Sequence, residues 1–600
     1  MRRSLPWLLC AVGGLMACTV PDLSTLGPFS CEDSNACAKG YVCVSGRCSP
    51  SGTKPEPEPE PDDGLPPTLG VSVPPPPESP APEGRTTYTE VGLDGRPLPA
   101  AWRRDQEVPV ELSTNSSVPL VLEVKGTDGQ GVRVDAVPFS EGCAARQCVR
   151  AALPLWKPRL DASRGMLTFV ATARSRAGLT TVHEQALPVT RWKWAHAVFD
   201  ANSDNEENSL DSAPGIGAKG TVYVTTYFTE LIALSPEGRA LWTSPLEGEG
   251  APVVSPQADG RELLYVRWYG ESDRGGGHQL YVYDVATRGL LGQCPQRLNA
   301  RQWFDSFVLG DVGGGVEGAM TATYGGATGA FLALTGGASG SAPQCQFVQR
   351  ELKPSERGNL VFRDGALYYS GPSSRALSVS TGSFTPRSGW PIASASSSGV
   401  NGLAVFDDLI VMGEGYIDEP SSSGGISTVH TSGTQAAVSR YSGGPVSMPS
   451  VGAGGVVFGV DGREGRLVRA PLGGSGLPLL SKERGLAKEL APTLGQGGLV
   501  YAMRSGEMGV WSATDLSLQW KWSPHGEEET PLAPPVLDCT RDAQGSPIPG
   551  RPGVLYASVY NELHALVVDS AGLDADAPWP KQQHDERNTG NASTAVLRCP

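Results

Sequence analysis

Oxygen-bearing side chains alternate at Asp200, Asn202, Asp204, Glu206, Asn208 and Asp211, a pattern that could hold an ion. Calcium takes about six to eight oxygens, often from one loop at positions 1, 3, 5, 7, 9 and 12, and these residues keep that phase. Position six is Asn205 rather than glycine, and no helical pattern flanks the loop. The competing reading is a solvated acidic loop between structural repeats, since short motifs match loosely. A second candidate is the adjacent pair His584 and Asp585, a base beside a carboxylate that could orient it. No nucleophile motif accompanies it. The chain has no Gly-x-Ser-x-Gly elbow, no His-Glu-x-x-His pattern and no phosphate loop. Of seven histidines, the six from His196 onward are scattered. No catalytic residue is assigned, and no organic cofactor is expected; calcium at 200–211 is the one ion the residues would suit.

Cysteine usage points to an oxidising compartment. Of 12 cysteines, Cys10 lies in an apolar leader and Cys18 just after it, leaving an even number for disulfides. Cys31, Cys37, Cys43 and Cys48 crowd into one short segment, read as a disulfide knuckle with its pairing open. Zinc is disfavoured because paired Cys-x-x-Cys spacing is missing. The remaining six are expected to pair within their own regions as Cys143–Cys148, Cys294–Cys345 and Cys539–Cys599. The leader has Arg2 and Arg3 followed by a short apolar run, the form of an export signal and too short for a membrane span. Leu15-Met-Ala-Cys18 resembles a bacterial lipobox. That resemblance implies a signal peptide over 1–17, lipidation at Cys18 and, with Thr19 following, anchoring at the outer membrane on its periplasmic or cell-surface face. The knuckle, 18–53, is similar to those heading myxobacterial surface lipoproteins.

The elements that would position these groups are strands. Residues 221–227 are rich in β-branched and aromatic types, 230–234 are mostly apolar, and 239–242 end in a tryptophan. Ser235-Pro-Glu-Gly238 between the last two is a turn, with proline second and glycine fourth. Three short strands cannot bury both faces alone, so such a unit needs copies to stack on. Degenerate copies follow at 263–289, 365–382, 455–470, 498–522 and 553–566, with weaker ones at 307–333 and 400–427. Many are preceded by a small residue and proline, as in Ala251-Pro-Val-Val and Ala533-Pro-Pro-Val.

This repeat resembles the PQQ-like β-propeller of quinoprotein dehydrogenases and of outer-membrane assembly scaffolds. The resemblance implies an all-β chain with a propeller over 191–580, of about eight blades with seven as the alternative. The strand bearing Trp192 and Trp194 is expected to close the ring by pairing near 554–567, which removes an open edge. Upstream, 54–84 reads as a proline- and glutamate-rich spacer. Alternating strands over 85–190 resemble an Ig-like β-sandwich. The tail, 581–600, resembles the Trp-Pro … His-Asp … Thr-Gly endings found after such propellers, which makes His584 and Asp585 part of a cap.

Net charge is −15, which argues against nucleic-acid binding. The dehydrogenases carry adjacent cysteines and clustered calcium ligands around their cofactor; this chain has no adjacent cysteines. The expectation is therefore a non-catalytic envelope lipoprotein, lipid-anchored to the membrane, whose propeller binds or scaffolds a protein or glycan partner. The alternative is a periplasmic propeller enzyme, an oxidoreductase or hydrolase, with a cryptic site in the central channel.

Overall fold

The computed structural model describes residues 41–44, 47–50 and 65–600, the last span interrupted by short stretches of which 199–209 is the longest. Every regular element among them is a strand. Two sheets form a β-sandwich, one of four strands and one of five. Its core is built from the inward residues of alternating strands: Val108, Val110 and Leu112 from Glu107–Thr114 against Leu167, Phe169 and Ala171 from Arg164–Arg174. The alternating pattern over 85–190 becomes the strands Glu107–Thr114, Val121–Lys125, Gly131–Arg133, Ala136–Pro138, Arg164–Arg174 and Thr180–Thr190. Gln147–Pro154 was not anticipated; it joins Glu107–Thr114, and Cys143–Cys148 closes the turn before it.

One boundary needs correcting. The span 54–84, read as spacer, contains Leu69–Ser72, which pairs with Glu107–Thr114 as a sandwich strand. Its short Leu-Gly-Val-Ser sequence sits between prolines, and composition masked the pairing. Thr86–Thr87, placed in the sandwich by sequence, instead pairs with Trp192–Ala197 of the propeller.

Eight further sheets are the propeller blades. Blade 1 runs over 215–244, blade 2 over 248–293, blade 3 over 302–350 and blade 4 over 360–393. Blade 5 covers 400–430, blade 6 covers 450–480 and blade 7 covers 493–522. Blade 8 joins Val536–Asp538, Val554–Val559 and Glu562–Val567 to Trp192–Ala197. Ring closure therefore occurs where the tryptophans predicted it, with Trp192 opposite Leu566 and Trp194 opposite Ala565. The weak copies became blades 3 and 5. The small-Pro elements became inner strands, as at Gly248–Pro256 and Val536–Asp538.

The buried apolar residues lie in the seams between neighbouring blades. Tyr223 and Leu231 of blade 1 meet Val254 and Leu264 of blade 2, and Trp194 and Tyr556 of blade 8 meet Ile216 and Val222 of blade 1. A blade is thus apolar on both faces and is stable only inside a ring. The turn at Ser235–Gly238 shows how tightly this seam is drawn. Gly238 N–H donates to Ser235 O at 2.9 Å with φ of +82°, and a Cβ there would lie 2.7 Å from the Trp194 ring. Only glycine meets both demands.

Sandwich and ring are joined through Asp569. Arg191, fully buried, gives it two hydrogen bonds of 3.0 and 2.8 Å, and Arg104 adds one of 2.9 Å. Arg104 also donates to the carbonyls of Leu155 and Pro158 in the sandwich, and the Trp520 indole N–H reaches Asp569 at 3.2 Å. Burial pushes the Asp569 carboxyl up, but the two guanidiniums outweigh it and hold the group below its ordinary value.

Candidate functional site

The bore of the ring, where a propeller enzyme would place its chemistry, holds the chain's own tail. Inner strands offer outward-facing amides to the axis, and six blades donate one each to the tail. Ile216, Val254, Leu309 and Phe362 of blades 1 to 4 donate to the carbonyls of Glu586, Arg587, Thr589 and Gly590 at 2.7–3.0 Å. Val451 of blade 6 and Leu494 of blade 7 donate to Trp579 and Pro580, both at 2.7 Å. The wrapping starts before the range assigned to the tail: Leu573 bridges Gly495 of blade 7. Blade 8 supplies Cys539, whose disulfide to Cys599 fixes the far end. Cys294–Cys345 links blades 2 and 3.

Buried inside this coil is a knot of charge. Lys581 has no exposed surface, and its ammonium donates to Gln582 O at 2.6 Å, Asp585 O at 3.0 Å and Asn588 Oδ1 at 2.6 Å. The Asn588 amide reaches outward to the carbonyls of Ala213, Pro214 and Pro252, tying the knot to blades 1 and 2. Asp585 spends its carboxylate on a local turn, accepting from Thr589 N at 2.9 Å and Thr589 Oγ1 at 2.8 Å. Gln583, His584 and Asn588 all take positive φ, and Gly590, at +58°, passes so near Val308 that a Cβ would approach its Cγ1 to 2.6 Å. The coil is held against its own backbone preferences by these bonds.

Two groups in the knot are shifted toward neutrality. Burial lowers the Lys581 ammonium to about 8, against the opposing pull of Asp585 and Glu586. Burial, then the charge of Asp585, raises the Glu586 carboxyl to about 7. A carboxyl that holds its proton longer folded than unfolded stabilises the fold below its unfolded pKa, and that contribution is lost as pH rises through the folded value. The native melting temperature should therefore fall relative to that of Glu586→Gln as pH is raised from about 4.5 to about 7. A gap between the two proteins that stays constant over that window would refute the assignment.

The residues singled out in the sequence fare differently. Asp200, Asn202, Asp204, Glu206, Asn208 and Asp211 lie outside the described residues, as do Cys18, Cys31 and Cys37. Cys43 and Cys48 stand opposite each other in the hairpin of Tyr41–Val44 and Arg47–Pro50. The three other disulfides form as paired from sequence. His584 and Asp585 are both buried, but the ring Nδ1 lies 3.9 Å from the carboxylate, too far for a hydrogen bond, and His584 leans on the Trp579 ring instead. Lys581 and Asn588 escaped the sequence reading. Their signal was the polar run Lys581-Gln-Gln-His-Asp-Glu-Arg-Asn588, unusual directly after Trp579-Pro580.

No protein-family model matches this chain, and no curated protein matches it. Among solved structures it is similar to BamB from Moraxella catarrhalis, at 12% identity over 60% of this chain and 97% of that one, with a TM-score of 0.41. Sqt1 from Chaetomium thermophilum, solved bound to the N-terminus of ribosomal protein L10, shares 11% identity over 61% of this chain and 98% of its own, at a TM-score of 0.38. Virginiamycin B lyase from Staphylococcus aureus matches at 10% identity over 61% and 96%, TM-score 0.33.

Proposed function

We propose that this chain is a non-catalytic β-propeller of the bacterial cell envelope, lipid-anchored at Cys18 in the outer membrane, that binds or scaffolds a protein or glycan partner. The observation that supports it is the filled bore. Where a cofactor or substrate would sit, Lys581, Asp585 and Asn588 turn their polar atoms on one another and on the inner strands. The surfaces left for a partner are the two faces and the rim of the ring. Propellers serve many unrelated ends, so the site rather than the fold carries this reading. It is tested with the full chain in cells. A palmitate label should enter the protein and be lost in Cys18→Ala, and cross-linking on intact cells followed by capture should return a defined partner. An unlabelled chain, or capture that returns nothing above the background of an unrelated lipoprotein, counts against it. Calcium at 200–211 belongs to the same proposal. No heat on calcium titration, with melting unchanged by chelator, removes it.

A further inference from the structure

A cavity of about 530 Å³ opens where the tail leaves the bore, between the hairpin turns of blades 4 and 5 and residues 592–598. We infer that it is a binding site for a neutral glycan, an inference that rests on the binding function proposed above.

The chemistry of the lining selects that class. A sugar hydroxyl is donor and acceptor at once, so it is best met by donors and acceptors side by side. Two such pairs line the cavity. Arg363 and Asp364 pair at 3.0 Å, and Arg598 pairs with Asp576. Asp407, Ser593 and Thr594 line it too, their side chains without a hydrogen-bond partner among the described residues. Behind the wall lies His584, 3% exposed, its ring packed on Trp579 and its Nδ1 turned toward Asp585 rather than into the cavity. Opposite charges are interleaved, so neither a phosphate nor a polyamine meets a field of one sign. Pro578 and Val596 add apolar wall for the C–H face of a sugar ring. The volume falls within the usual range for small-ligand pockets, roughly 300–1,000 Å³.

The experiment uses the soluble full chain lacking its lipid. Cellotriose, maltotriose, laminaritriose and chitotriose are titrated by calorimetry, with inorganic phosphate and trilysine as charged probes. Two variants report on the cavity. Asp407→Gly suits the left-handed backbone there, φ of +47°, and removes the carboxylate, while Thr594→Val removes a hydroxyl at constant shape. The expected result is a Kd of about 1 mM or tighter for at least one neutral trisaccharide, weakened about tenfold in each variant with melting unchanged. Binding of a charged probe alone, sugar binding indifferent to both variants, or no binding at all overturns the inference. Capture of a partner from intact cells is run alongside. If it succeeds while the sugars fail, the cavity inference falls and the binding function stands; if it too is empty, the function falls.

Discussion

Lys581→Met should destabilise the protein by about 2–5 kcal/mol, the cost of leaving buried acceptors without their charged donor. The ammonium meets three acceptors within 3.0 Å and has no contact with water. Methionine fills the space, but leaves Asn588 Oδ1 and the Gln582 carbonyl without a donor, while Asp585 and Glu586 keep the Arg587 guanidinium and the Asp585 carbonyl keeps the Asn588 N–H at 3.1 Å. The effect should also be local. Hydrogen exchange should quicken at Ile216, Val254, Leu309, Phe362, Val451 and Leu494, whose amides are capped by the tail, before it quickens in the middle strands of the blades. Stability within about 1 kcal/mol of native, with those six amides still protected, would show that the tail is held by the disulfide and by Trp579 rather than by the knot.

Asp569→Ala comes next, at about 2–4 kcal/mol. It strands Arg191 and Arg104, both buried, with their like charges side by side; Arg104 is already lowered to about 10 by burial and then by Arg191. The figure sits below the full cost of a sealed pair because 33% of the Asp569 side chain still meets water. Asp569→Asn keeps the shape and should recover part of the loss through hydrogen bonds to the guanidiniums. Limited proteolysis should cut between sandwich and ring in the alanine variant sooner than in the native chain. Equal cutting, with equal denaturant midpoints, would refute the joining role given to this carboxylate.

What was legible in the sequence follows the physics of burial. Val222–Thr225, Leu231–Leu234 and the turn at Gly238 could be read because strand, strand and turn each leave a local mark. Closure by Trp192 and Trp194 could be read because an outer strand with no blade of its own must find one. Inner strands as short as Gly215–Ile216 were missed, since two residues carry no period. So were Leu69–Ser72 and the Asp569 hub, whose partners lie far away in sequence. The bore was half legible. His584 and Asp585 could be assigned to a cap, but nothing local said that Lys581 would be the centre of it, because a buried lysine is identified only by what surrounds it.

The closing blade also sets an order of assembly. Arg191 and Val567, bonded to each other across 376 positions, belong to opposite ends of the propeller sequence. A chain made from its N-terminus exposes Trp192–Ala197 early and must hold that edge unpaired until Glu562–Val567 arrives. The seat of the tail is complete only when six blades present their inner amides. Contacts of such long range make folding slow and leave strand edges open meanwhile. The disulfide of Cys539 and Cys599 thus ties the tail to the same blade that closes the ring, so one blade anchors both seams.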